Sequence, residues 1–270
     1  MIPILKGNDL NHMRKACRLS ALILREVAAA VRPGMTTGEL DAFAAERMRF
    51  HHVKSTFLGY GGFPGYTCLS INEEIVHGIP GDRVIHDGDI VSIDLGVTVD
   101  GYTGDNAVTV PVGAGVPKGW LDLCRVCRDS LAIGLAQARP GNRVGDIGAA
   151  VQRVAEGCGY GVVRDYCGHG VGRHLHEDPQ IPNYGTPGTG TRLRPGMCLA
   201  IEPMINLGTW KVDLMNNNWT VKTRDRLPSA HFEHTVLVTE GEPEILTAVP
   251  ETAPECPALD SLGPAGTYDD

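Results

Sequence analysis

Residues 167–179, CGHGVGRHLHEDP, put one cysteine, three histidines and two acids into thirteen positions, with glycines spacing the first half. Imidazoles and carboxylates at that density either ligate a divalent metal or move protons near neutral pH. Which of His169, His174 and His176 does which depends on partners elsewhere in the chain. Three acids in apolar surroundings are the first candidates. Asp94 follows the run DIVSI and Glu202 follows MCLAI, so each interrupts a strand that should be buried. Glu233 stands in HFEHTVLV between Phe232 and His234.

A fourth acid is placed by arithmetic. Asp100-Gly101, in the middle of residues 89–111, is a two-residue hairpin signal. With that turn, opposite residues sum to 201, so Asp94 faces residue 107 and Asp105 lies two positions diagonal on the same face. Diagonal neighbours are ~7–8 Å apart between backbones, near enough for two carboxylates to converge. Like charges on one buried face repel and raise a pKa, and a divalent cation removes the conflict. Alternation puts Glu233 on the face of His231 and Thr235. With His169, the four carboxylates make a hard, oxygen-rich set that suits Mn, Fe, Co or catalytic Zn better than a structural zinc site. Four carboxylates carry more charge than one divalent ion needs, so two ions are expected.

Two halves of similar topology would position such a set. RPGMTTGEL at 32–40 and RPGNRVGDI at 139–147 each precede a helix-like run, at an offset of 107. Gly88 and Asp94 in DGDIVSIDLG match Gly196 and Glu202 in RPGMCLAIEP at an offset of 108. Two separate segments sharing nearly one offset imply a duplication, with Asp94 and Glu202 as equivalent ligands of a centre between the halves. The pattern predicts helices over 9–31, 37–50, 117–138 and 145–158. It predicts strands near 53–58, 67–72, 162–166, 197–205, 219–224 and 230–239, besides the hairpin. This alternation argues for an α/β or α+β fold. Residues 1–249 read as a single domain, with halves of about 1–112 and 113–249. Residues 250–270, rich in Pro, Gly and acid, read as a disordered tail. Glu177 and Asp178 are expected to begin a turn before Pro179.

Composition excludes several classes. A chain of 270 residues, 42% of them hydrophobic, can bury a full core. A formal charge of −8 gives no basic stripe for nucleic acid. The N-terminal MIPILKGNDLNHMRKACRLS has neither the apolar core of a signal peptide nor a span of about 20 apolar residues, so no membrane is expected. Eight scattered cysteines suit free thiols in a reducing compartment, and the expected location is the cytoplasm. The lone Cys124-Val-Arg-Cys127 pair lies in a helix and has no second CxxC to complete a metal site. A monomer is the default.

The segments SIDLGVTVDGYTGDNAV, GHGVGRHLHEDP, LAIEPM and WTVKTRDRLPSAHFEHTV resemble type I methionine aminopeptidases, peptidase family M24, in the bacterial single-domain form. The likeness runs from about residue 5 to 248. It implies the pita-bread fold, two pseudo-two-fold halves with a central antiparallel sheet and outer helices. It also implies two divalent ions (Co, Mn, Fe or Zn) on Asp94, Asp105, His169, Glu202 and Glu233, the five residues already assembled. Asp105 and Glu233 would bridge the ions, Asp94 would chelate one, and His169 with Glu202 would hold the other. The implied reaction is removal of the initiator methionine from nascent proteins and peptides, met at the ribosome, by metal-activated water. Glu202 would pass a proton, His176 would stabilise the oxyanion, and His77 would contact the scissile nitrogen or the next residue. His174 matches a variable position. Tyr60, Phe63, Cys68, Leu175 and Trp219 match the methionine pocket. Phe57 stands where many relatives have a smaller residue, and Leu175 where several have an aromatic. GHGxGxxxHExP is shared with proline-specific relatives, so an Xaa-Pro aminopeptidase or dipeptidase is the alternative enzyme. The expected lack of a large N-terminal domain argues against it. A non-catalytic pita-bread binding protein is the alternative from another class, and it should have lost ligands.

Overall fold

The structure is a computed structural model that describes residues 2–263, 266 and 268. Four long helices are α1 (Asn8–Ala30), α2 (Thr37–Phe50), α3 (Lys118–Ala136) and α4 (Val144–Gly157), followed by a single turn, α5 (Pro257–Asp260). The strands are β1 (Lys54–Ser55), β2 (Cys68–Ile71), β3 (Glu74–Val76), β4 (Ile90–Val99), β5 (Tyr102–Pro111), β6 (Gly161–Val162), β7 (Gly168–Gly170), β8 (Glu177–Ile181), β9 (Cys198–Ile201), β10 (Met204–Asn206), β11 (Val212–Leu214), β12 (Val221–Thr223), β13 (Ser229–His231), β14 (Glu233–Leu237) and β15 (Glu244–Ile245). The central sheet runs β1-β4-β5-β14-β9-β7-β8, with β2 also on β4 and β15 also on β14, and its strand pairs are antiparallel.

The duplication is visible in the backbone. Thr36, ahead of α2, bridges Val84; Arg143, ahead of α4, bridges Arg192, at offsets of 107 and 108. Each helix start is closed by an acid three residues on: the Glu39 carboxylate accepts the Thr36 N–H at 2.8 Å, and that of Asp146 accepts the Arg143 N–H at 2.7 Å. Gly88 (φ 94°) and Gly196 (φ 91°) make the left-handed turns that feed β4 and β9, which is why both repeats carry glycine there. One core lies under α1 and α2, where Met13, Cys17, Leu24 and Val27 of α1 meet Val91, Ile93 and Leu95 of β4. The other joins α3 and α4 to Leu199 and Ile201 of β9 and Val236 of β14. Cys124 and Cys127 are buried in the second core, and the Cys127 thiol lies 3.3 Å from two backbone carbonyl oxygens, a packing role.

One expectation needs correction. Residues 177–181 form β8 rather than a turn: Gln180 pairs with His169, so the glycine-rich stretch has an antiparallel partner that alternation could not reveal. The described part of the segment beyond 249 lies against the fold. Cys256 and Leu262 are buried, Leu259 packs on both cores, and Arg25 of α1 holds Asp260 at 2.7 Å. Cys256, Leu259 and Leu262 recur at helical spacing, and the last two line a groove with Leu24 of α1 and Arg128 of α3.

Candidate active site and metal centre

The hairpin register places the first pair of acids. Asp94 pairs with Ala107 and Gly96 with Asp105, so both carboxylates stand on one face of β4–β5 as the turn arithmetic required. Glu233 pairs with the same Ala107 from the other side. His234 pairs with Ile201, which brings Glu202, one residue past β9, alongside. Thr235 pairs with Ala200, and Ala200 with His169 on β7. Five strands of one sheet thus deliver four acids and one imidazole to a single face.

The side chains converge. One donor atom each from Asp105, His169 and Glu233 lie within 4.8 Å of one another. His169 Nε2 is 3.7 Å from Asp105 Oδ2 and 3.5 Å from Glu202 Oε1. The Gly170 carbonyl lies 2.9 Å from His169 Nδ1, which puts the ring proton there and leaves the Nε2 lone pair for a cation. Asp94 Oδ1, Asp105 Oδ1 and Glu233 Oε1 are buried with no hydrogen-bond partner among the described residues. Buried carboxylate oxygens do not stay unpaired without cost, and a divalent cation is what this donor set fits.

The electrostatics agree. Burial pushes the Asp105 carboxyl up to about 7. Burial, and then the charge of Asp105, hold Asp94 well above the usual carboxylate range. Burial and the surrounding acids do the same to Glu202 and Glu233. His169 goes down to about 4, by burial and then by His176, so its ring is neutral at pH 7.

Around this cluster one pocket is lined by Phe57, Tyr60, Phe63, Cys68, His77, Leu175, His176 and Trp219, with the five donors at its base. Phe57, Phe63, Cys68 and Leu175 form a small apolar cluster, with Trp219 packed on it edge-on to Phe63 at 5.1 Å. The Tyr60 hydroxyl is 2.7 Å from His176 Nδ1, and the His176 ring is 4.4 Å from that of His169. His77 adopts φ 58°, a left-handed backbone, and its ring sits between Tyr166 and Trp219 at 5.6 and 6.2 Å. Burial and then His176 lower its pKa to about 4. His174 lies outside: exposed, with its N–H donated to Glu177. The expected metal ligands, His77, His176 and the expected pocket residues all line this pocket, whereas His174 and Cys167 do not.

Sequence reasoning did not single out three neighbours. Tyr166 and Met204 line a second groove that shares His77, Asp94, His169, His176 and Glu202 with the first. His231 is buried with Nε2 3.7 Å from Glu202 Oε2. Strand alternation put His231 on the face of Glu233, which was the available signal.

The model of Metallopeptidase family M24 matches residues 11–240. The chain belongs to that family. As an M24 peptidase it is 49% identical to methionine aminopeptidase 1 of Bacillus subtilis, over 89% of this chain and 97% of the relative. The crystal structure of the Thermotoga maritima methionine aminopeptidase matches with a TM-score of 0.89 at 47% identity, covering 92% of this chain and 99% of that one. The Pyrococcus horikoshii prolidase shares the fold alone, with a TM-score of 0.75 at 22% identity over 92% of this chain and 64% of that one. This M24 member therefore stands with the methionine aminopeptidases, and the antiparallel sheet with outer helices is their pita-bread fold.

Proposed function

We propose that the chain removes N-terminal methionine from nascent proteins and peptides, with two divalent ions (Co, Mn, Fe or Zn) held by Asp94, Asp105, His169, Glu202 and Glu233. The observation that carries the reading is the junction of partnerless buried carboxylates with an aromatic-lined apolar pocket. Bound ions of this kind lower the pKa of water and polarise a carbonyl. Glu202, at the edge of the cluster, takes and passes on a proton. The Tyr60 hydroxyl donates to His176 Nδ1, leaving Nε2–H as the donor to the developing oxyanion. His77, neutral and fixed between two aromatic rings, meets the scissile nitrogen or the next residue. Phe57, Phe63, Cys68, Leu175 and Trp219 exclude water and take the thioether, with sulfur–aromatic contacts of about 0.3–1.5 kcal/mol. The groove lined by Tyr166 and Met204 leads the rest of the substrate chain away. The reading puts the protein in the cytoplasm, as a monomer meeting nascent chains at the ribosome.

The test is a peptide panel. Met-Gly-Met and Met-Ala peptides should be cleaved, and Xaa-Pro peptides spared, with Mn, Co, Fe and Zn each supplied. No hydrolysis of Met-Gly-Met with any of the four would overturn the proposal, and preference for Xaa-Pro would favour the prolidase-like alternative.

A further inference from the structure

His231 is a buried polar side chain at the centre with no assigned task. It is 2% exposed and ends β13 opposite Met204. Its peptide is clamped by one hydroxyl: Thr109 Oγ1 accepts the His231 N–H at 2.8 Å and donates to its carbonyl at 2.8 Å. The backbone is fixed, so the ring is delivered to a fixed place. There Nε2 lies 3.7 Å from Glu202 Oε2, while Glu202 Oε1 lies 3.5 Å from His169 Nε2. The Glu202 carboxylate is thus flanked by two imidazoles, one per oxygen. Neither ring nitrogen of His231 has a hydrogen-bond partner among the described residues. An apolar ring would fill the same volume without that cost, so the imidazole is there for a polar partner. Glu202 is the acceptor its Nε2 faces.

We propose that His231 is a positioning residue for Glu202. Its Nε2–H donates to Oε2, closing the gap by ~0.8 Å, and so holds Oε1 turned toward His169 and the other donors. This rests on the reading of Glu202 as ligand and proton carrier. Without the donor the carboxylate rotates, which weakens the hold on the metal and slows proton transfer, while the methionine pocket is untouched. A glutamine amide can supply an N–H in place of the imidazole; leucine cannot.

The experiment compares the full-length protein with His231→Gln and His231→Leu. His231→Leu should lower both Mn2+ affinity, by titration calorimetry, and kcat on Met-Gly-Met roughly 10–100-fold, with KM unchanged, and His231→Gln should restore most of both. Parental affinity and kcat in His231→Leu would overturn the proposal. The tautomer is read on the unmutated, zinc-loaded protein by long-range 1H–15N NMR, so the outcome stands even where a variant fails to fold. A proton on Nε2 is expected, and a proton on Nδ1 alone would overturn the donor role. If the parent protein itself cleaves no Met-Gly-Met, the proposed function fails, and the tautomer and Mn2+ titration still decide the place of His231.

Discussion

Asp94 and Glu233 register on the same residue, Ala107, one from β4 and one from β14. Two strand spacings, ~9–10 Å, therefore separate their backbones, and Asp105 stands two residues along β5 on the same face. The backbone ladder sets these spacings, and the small Ala107 side chain leaves the acids room to lean together. Ala107→Leu should fill that room, weakening Mn2+ binding at least tenfold and costing about 1–3 kcal/mol of stability from overpacking. Calorimetry and denaturant unfolding read the two effects. Unchanged Mn2+ affinity would show that the acids do not converge over Ala107.

Glu202→Gln keeps the shape and removes the charge and, on the proposed reading, the base. Turnover of Met-Gly-Met should fall about 10²–10⁴-fold with the circular dichroism spectrum unchanged. Near-parental kcat would end the role given to Glu202.

Metal binding should depend on pH through the acids and not through His169. In the metal-free protein Asp105 is raised to about 7, chiefly by burial, whereas His169 is lowered to about 4 and is already neutral. A carboxyl raised in the fold contributes stability below its ordinary value of 3.8 that is lost as pH climbs through about 7. The metal-free protein is weakened across that window, and a cation restores what ionisation removes. Mn2+ affinity should rise from pH 6 to pH 8, with protons released on binding at pH 6. Calorimetry in two buffers of different ionisation enthalpy measures the release; proton-neutral binding at pH 6 would contradict the expectation.

On the proposed reading, Tyr60 acts through His176. Tyr60→Phe removes the 2.7 Å hydrogen bond and frees the imidazole to move its proton to Nδ1. Loss of one such bond corresponds to about 0.5–1.5 kcal/mol, or roughly 2–10-fold in kcat. His176→Ala should cost about 10²–10³. Steady-state kinetics that gave Tyr60→Phe the larger loss would reverse this order.

The pocket wall is tied to α2 by one acid. Asp41 Oδ1 accepts the Tyr66 N–H at 3.0 Å, the Thr67 N–H at 2.8 Å and the Thr67 hydroxyl at 2.7 Å, just before Cys68 enters β2. Asp41→Ala should cost about 1.5–3 kcal/mol, and KM for methionyl peptides should rise as the wall loosens. Denaturant unfolding with an unchanged midpoint would show the tie to be dispensable.

Much of the site was legible because strands convert sequence parity into facing. The Asp100-Gly101 turn fixed Asp94 against Ala107, and the shared offset tied Asp94 to Glu202. What stayed hidden has no local signature. β7 is three residues, Gly168–Gly170, which carry no strand propensity and take their conformation from Ala200 and Gln180 on either side. Tyr166 and Met204 reach the second groove through long-range packing. His231 was placed on the right face by alternation, but its approach to Glu202 depends on β13 ending where β14 begins, with Phe232 between. In the segment after 249, the polar average conceals a few apolar side chains at helical spacing that pack on both cores.

The hairpin β4–β5 is laced by ten register pairs, but β5 meets β14 through only two, Glu233 with Ala107 and His234 with Asn106. That seam is where the duplicated halves join within the central sheet, as β3 and β12 join them in a smaller one. Asp94 and Asp105 lie on one side of it, and His169, Glu202 and Glu233 on the other. An ion shared by these donors would act as a rivet through this two-pair stitch of the sheet, closing chain loops tens of residues long. Loading the centre would then also fasten the two halves across the central sheet, and a chelator would loosen the protein along the line of its own duplication.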